Sequence, residues 1–238
     1  ADIKFGTLSV RSIWEKMAPL KTETSAESIE TFKTELIWRD FAYSTLWDRP
    51  EVLKQPFRPQ WEGFPWQNDP EDWKAWTEGR TGYPVIDAAA RELRETGFVH
   101  NRARMITASF LCKHLLIDYR RGESHFLKYL TDGDWAQNNA GWQWSAGSGC
   151  DAQPYFRVFN PFSQGEKFDP EGAYVRRWIP ELRLLPNRYI YRPWTAPGSV
   201  LDKADVSLGA NYPTPIVDHA MARERFLRIA KAHLKRNE

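Results

Sequence analysis

The chain has 238 residues, 42% of them hydrophobic, with a formal net charge of +2 and 12 Trp. That is enough for one large domain or two small ones, and no apolar run is long enough to cross a membrane. The charge is too small to make a strong nucleic-acid field by itself, so local clustering carries more weight.

His100, Arg102, Arg104, Lys113, Arg120, Arg121 and Lys128 crowd one region, while Glu23, Glu27, Glu30 and Glu35 occupy another. The Trp excess fits either stacking on a ligand or a helical core packed with rings. Cys112 and Cys150 stand alone, no secretory pattern opens the chain, and the expectation is an intracellular, cytoplasmic protein, nucleoid-associated if bacterial.

In chain order, residues 1–17 read as a loop running into a short helix, as if cut from something longer. Thr24 and Glu27 form a capping-box signature before a helix of about 20 residues. Ile29, Phe32, Leu36 and Tyr43 make its apolar stripe, and Thr31, Glu35, Trp38 and Ala42 another face. An acid beside an indole suits a cleft wall, or equally a solvated Glu next to a half-buried Trp. Asp48 to Asp72 carries five prolines and reads as a long ordered loop held by Trp61 and Trp66.

Pro84 fits a first helical position and Gly97 the residue past a helix end, with Ile86, Ala89, Ala90 and Leu93 as the buried stripe. Asn101 to Tyr119 reads as one long helix with Met105, Ser109, Cys112, Leu116 and Tyr119 on one face. Arg102 and Arg104 in its first turn oppose the macrodipole, which points to an external anion or to surface ion pairs.

Asp132 to Trp144 mixes Asp132, Asp134, Asn138 and Asn139 with three Trp and lacks helical periodicity. Such a loop is expected to grip something flat and polar, since its groups are costly to bury unpaired. Residues 145–170 read as irregular, Arg176 to Ile179 as the start of a helical piece, and Pro215 to Lys235 as a final helix with Ile216, Ala220, Phe226 and Ile229 inside. The fold class is therefore all-α with long loops.

Gly147 to Ala152 fits GxGxxA, but no strand precedes it and Pro154 would break the following helix, so it is no dinucleotide fingerprint. No P-loop, HExxH or GxSxG motif is present, and metal or hydrolytic chemistry lacks support. What remains suits a flat heteroaromatic ligand with a phosphate tail, a base-stacking cleft, or both.

The runs Trp76–Asp87 (WTEGRTGYPVID), His100–Phe110 (HNRARMITASF), Asp132–Asp134 with Asn138 and Asn139, Trp142–Trp144 (WQW) and Asn160–Phe168 (NPFSQGEKF) resemble the DNA photolyase and cryptochrome family. The resemblance covers nearly the whole chain. It implies the family's multi-helix FAD-binding domain, most like that of a cyclobutane pyrimidine dimer photolyase. The family's α/β antenna domain, with any second chromophore, has no counterpart here, and Ala1 to Arg11 looks like the tail of its phosphate clamp.

By the same resemblance, Asp132, Gly133 and Asp134 would contact FAD, with Asp132 paired to Arg104. Asn138 would face flavin N5, and Phe32 and Arg39 would line the pocket, with Glu35 and Asn101 also reaching the cofactor. Glu35, Trp38, Asn101, Arg102, Met105, Trp144 and Gln164 would line the cavity for a DNA lesion. Trp142, Tyr119 and Trp66 would relay electrons to the flavin. Two positions depart from the family, which often has Trp where Phe32 stands and usually has Trp where Tyr119 stands. The implied protein is a monomer that uses reduced FAD and light to repair pyrimidine dimers in DNA. A cryptochrome-type photoreceptor is the alternative, and a flavin-free module that stacks on single strands is a third reading.

Overall fold

Proline and glycine punctuate the chain, and helices fall between them. The structure, a computed structural model, describes residues 1–236. Among them the helices are α1 (Asp2–Phe5), α2 (Val10–Met17), α3 (Ala26–Asp48), α4 (Pro70–Glu78), α5 (Pro84–Thr96), α6 (Asn101–Ser109), α7 (Tyr119–Tyr129), α8 (Trp135–Ala146), α9 (Pro161–Phe168), α10 (Ala173–Trp178), α11 (Gly198–Lys203) and α12 (His219–Arg236). The described residues hold no strand beyond one isolated bridge between Leu208 and Tyr212. The architecture is the all-α one expected, with long ordered connections.

The central element is α5. Pro84 opens it, and Gly97 ends it in the left-handed conformation at φ 68°. The expected stripe of Ile86, Ala89, Ala90 and Leu93 is buried, and so are Val85, Asp87 and Ala88, because α4, α6 and α10 all pack against this helix. A carboxylate buried there must be paired. Asp87 accepts from the Thr81 amide (2.7 Å) and hydroxyl (2.6 Å), the Gly82 amide (3.0 Å) and the Tyr212 hydroxyl (2.9 Å). It thereby ties the turn before α5 to the segment before α12.

Several expectations give way to the structure. The helix expected over 101–119 is two. The α6 helix ends at Ser109, a π turn spans Phe110–His114, and Leu116 takes φ 52° to reverse the chain. Asp118 then caps α7 by accepting from the Arg120 amide. Apolar residues run through the break because every side of it is core, so periodicity carries no trace of the bend.

The stretch from Asp132 to Trp144, expected to be a loop, is mostly helix α8. Asp134 caps it through the Gln137 amide, and Gly147 closes it in the left-handed region. Its polar residues are turned inward, which erases the amphipathic signal. The expected irregular segment 145–170 contains α9, capped by Asn160 with Pro161 at the first position. Arg176 to Trp178 ends α10 and does not begin it. The last helix starts at His219, leaves Ile216 outside and Ala220 exposed, and buries Ala222, Phe226 and Ala230.

At α3 the Thr24–Glu27 box does not form. Ser25 occupies the cap position, where its hydroxyl accepts from the Thr22 amide and bonds the Leu20 carbonyl. Only Leu36 and Ala42 of α3 are buried, while Phe32 and Tyr43 are exposed. The helix packs chiefly on α8 and on the 3-10 turn Pro50–Leu53, and its rings at Phe32, Trp38 and Phe41 stay exposed. Between α3 and α4 the proline-rich segment makes two 3-10 turns, with Trp61 buried and Trp66 half-buried as anchors.

Replacing Asp87 with Ala strips four donors of their acceptor inside the core. Urea denaturation should register a loss of about 3 kcal/mol, against at most a few tenths for the exposed Asp40→Ala control.

Candidate functional site

The α3, α6 and α8 helices, with the N-terminal segment, enclose a cavity of about 910 Å³, within the size range of cofactor sites. On one wall Arg104 meets Asp132 through two bonds of 2.9 and 3.1 Å and donates to the Val99 carbonyl at 2.6 Å. The pair forms because α6 starts at the turn where the Gly97 carbonyl accepts from Thr131, which brings the loop before α8 alongside. On α8, Asn138 faces the cavity and its side-chain nitrogen donates to the Glu123 backbone carbonyl at 3.0 Å. A carbonyl only accepts, so the nitrogen end must point that way and the amide oxygen is left toward the cavity.

Asp134 joins three elements of the site. It caps α8, accepts from the Tyr43 hydroxyl, and pairs with Lys4 at 3.4 Å. Burial pushes its carboxyl up, yet Tyr43, the Gln137 amide and Lys4 together hold it below its ordinary value. The same bond raises the Tyr43 hydroxyl. One carboxylate thus fastens α1, α3 and α8 together.

The opposite wall is built by α3 and the ends of α6 and α8. Phe32, Glu35, Trp38 and Arg39 line the cavity from α3, and Asn101 and Met105 from α6. Trp142 and Trp144 line it from α8, Trp142 being buried in an edge contact with Phe126 at 5.1 Å. Trp38 is 48% exposed and Phe32 45%, so the α3 rings present open faces.

Gly133, Arg102 and Gln164, expected at the cavity, are absent from its lining, and Tyr119 and Trp66, expected only in the electron relay, lie outside it. Gly133 is absent from the lining, although Asp132 and Asp134 on either side belong to it. Arg102 stacks its guanidinium on Phe168, 4.3 Å from the ring centre. The Gln164 side-chain oxygen is buried without a hydrogen-bond partner. Tyr119 is buried at the start of α7, and Trp66 packs on Phe64 with ring centres 4.4 Å apart.

Four other residues of the site were not expected to have a role in it. Lys4 and Tyr43 act through Asp134. Glu123 supports α8 from below, accepting from the Asn139 side chain at 3.1 and 3.2 Å. Burial drives its carboxyl up to about 7, against the Asn139 hydrogen bond and the Arg120 charge. Gln143 completes this layer by donating to the carbonyls of Val52 and Gln55.

The donor set suits FAD. It offers a neutralised Arg–Asp pair and an amide for a polar ring edge, open rings for stacking, and Lys4 and Arg39 as cations for a phosphate group. The described residues contain no cluster able to hold a metal ion.

Comparison with known proteins agrees with this geometry. Residues 32–232 match the model of the FAD binding domain of DNA photolyase. A deoxyribodipyrimidine photo-lyase of Agrobacterium fabrum is 50% identical over 93% of this chain and 46% of its own length. The crystal structure of a class III photolyase from Agrobacterium tumefaciens superposes with a TM-score of 0.95 at 48% identity, covering 99% of this chain and 48% of that one. A cryptochrome from Synechocystis gives a TM-score of 0.90 at 38% identity, covering 96% of this chain and 47% of that one. The chain spans about half the length of the curated relatives it matches.

Asp134 supplies a pH test of the α1–α3–α8 junction. Its carboxyl is held low in the fold, so its stabilisation is present above the unfolded value of about 3.9 and is lost as pH falls through the lower folded value. Tyr43→Phe should cost about 1 kcal/mol at pH 7. In urea titrations across pH that difference should shrink once the solution is more acidic than about pH 4.

Proposed function

Because this chain belongs to the family of DNA photolyase FAD-binding domains, we propose that it is the flavin- and DNA-binding part of a light-driven lyase. Its substrate is DNA carrying cyclobutane pyrimidine dimers. The observation that carries the reading is a single cavity shared by two sets of groups. Arg104, Asp132 and Asn138 suit a flavin, while Glu35, Trp38, Met105 and Trp144 suit an extruded base pair of rings.

FAD, when bound, supplies an electron from its light-excited reduced form and recovers it after the dimer opens. The chain's own residues do the rest. The Asn138 oxygen would serve as an acceptor for a ring N–H of reduced flavin. The Arg104–Asp132 pair holds the polar edge of the ring, with its charge cancelled inside the wall. Arg39 and Lys4 neutralise phosphate.

A pyrimidine dimer stacks poorly, so extruding it costs less than the few kcal/mol of a normal nucleotide. Trp38 and Trp144 offer stacking worth roughly 1–3 kcal/mol per base. Glu35 bonds a thymine edge and stabilises the charge that develops there. Asn101 and Met105 complete that wall, and Gln164, with an unpaired side-chain oxygen, and Arg102 serve the DNA near it. Trp142, Tyr119 and Trp66 would carry electrons toward a bound flavin. An antenna chromophore belongs to a part of the protein outside this chain. The protein works as a monomer, in the cytoplasm.

A photoreceptor without repair activity is the second reading, favoured by Tyr119 and by the similarity to a cryptochrome. Repair decides between them. Full-length, flavin-loaded, prereduced protein should remove thymine dimers from an oligonucleotide under blue light. Glu35→Ala should lower the yield per absorbed photon severalfold while changing DNA affinity little. Dimers that persist under illumination, with flavin bound and reduced, would defeat the lyase reading and leave the photoreceptor.

A further inference from the structure

Beyond the tryptophans that back the cavity lies a second groove. Trp142, in the cavity wall, touches Trp76 with ring centres 6.2 Å apart, and Trp76 stacks on Trp73 at 5.5 Å. Trp73 belongs to a separate hollow of about 730 Å³ between α4, the end of α5 and one face of α7. That volume suits a small-molecule site. Its lining holds the cations Arg94, Arg120, Arg121 and Lys128 and a single acid, Glu78.

The protein leaves most of that charge uncancelled. Among the described residues Arg94, Arg121 and Lys128 form no ion pair. Arg120 pairs with Asp118 at 2.8 Å, and Glu78 accepts from Arg80, which is not part of the lining, at 2.9 Å. The first turn of α7 contains no acid, so Arg121 also opposes the dipole of its own helix. Like charges gathered around one hollow repel, and an anion among them removes that cost.

Two of these cations are held in place by rings. The Arg121 guanidinium lies 4.5 Å from the Trp73 ring centre and donates to the Asn68 carbonyl at 3.2 Å. The Lys128 ammonium lies 5.4 Å over Tyr129. His125 steadies both rings, edge-on to Trp73 at 5.6 Å and tilted on Tyr129 at 4.8 Å. Burial, with the Lys128 and Arg94 charges, lowers the His125 imidazole to about 4. At neutral pH it therefore offers a hydrogen-bonding group without a charge. A planar guanidinium has two faces. Trp73 covers one, the other can stack a flat base, and the N–H fork suits phosphate oxygens.

We propose that this groove is a second binding site, apart from the flavin cavity, for a nucleoside phosphate. The phosphates lie among Arg94, Arg121 and Lys128, and the base stacks on the Arg121 guanidinium. The ring-backed fork and the size of the hollow favour a ring-bearing anion over a bare phosphate ion. A free nucleotide and a DNA strand present this same chemistry, and the arms of one experiment separate them.

Full-length protein saturated with FAD is titrated with adenosine diphosphate, with inorganic phosphate and with a short oligothymidylate. A photoactivated azido-adenine analogue of the diphosphate should label peptides that hold Trp73 or His125. Arg121→Gln and Lys128→Gln should each weaken binding about tenfold. Arg121→Lys should recover only part of the loss, and Lys231→Gln on α12 should change nothing. Lys128 is exposed, so Lys128→Gln should keep native circular dichroism and flavin content and carries the test even if Arg121→Gln misfolds. If a DNA strand is the occupant, the oligothymidylate shows the same losses, and Lys128→Gln lowers the slope of its salt dependence by about 1. If a free nucleotide is the occupant, only the diphosphate responds to the two variants. Either result supports the groove. The proposal is overturned if the adduct maps only to the cavity lining, if inorganic phosphate binds as tightly as the better of the two probes, or if neither probe responds to Lys128→Gln. Dimer repair plays no part in these readouts, so its failure would strike the lyase reading alone.

Discussion

The fold depends on how α8 buries its polar side. Asn139 and Gln143 lie one turn apart, both almost fully buried, and both need partners. Their nitrogens find the carbonyls of Val52 and Gln55 in the turns after α3, and Asn139 also reaches the Glu123 carboxylate on α7. The Gln143 oxygen accepts from the Phe57 amide at 2.8 Å. A helix held by bonds of fixed direction cannot rotate or slide as one held by oil-like contacts can. The cavity-facing side of α8, with Asn138, Trp142 and Trp144, inherits that fixed setting.

The same seam explains what the sequence disclosed and what it hid. The α5 helix was legible because its boundaries are local chemistry: a proline that suits the first turn and a glycine that suits φ 68°. The α8 helix was not, because its amphipathic pattern is cancelled by polar residues turned inward, and inward polarity is decided by partners 87 to 91 residues away in sequence. The break after α6 was hidden for the opposite reason. Core surrounds it on every side, so Ser109, Cys112, Leu116 and Tyr119 read as one continuous stripe.

The site divides along similar lines. The Arg104–Asp132 pair was expected from a family resemblance carried by contiguous runs, and it forms. Lys4, Tyr43 and Glu123 sit in no such run. Each acquires its role through one long-range contact: Lys4 and Tyr43 at Asp134, Glu123 beneath Asn139. Arg102 was expected at the cavity from the family resemblance. Its ring contact with Phe168 at the end of α9 depends on how α9 packs on α5, a tertiary fact with no local signature.

The α3 helix gives the reverse of α8 and completes the logic of the cavity. It shows open aromatic faces at Phe32, Trp38 and Phe41, an arrangement that solvent exposure penalises and a flat partner rewards. A stacking surface gains from being mounted on a helix whose other contacts are few, since it can adjust to the ring that arrives. The polar wall gains from the contrary arrangement, because a hydrogen bond to a cofactor is sharp in distance and angle. Placing the adjustable wall on α3 and the rigid wall on α8, joined at Asp134, lets one cavity fix a cofactor and still admit a second flat guest. That division follows from which helix buries its polar groups and which leaves its rings outside.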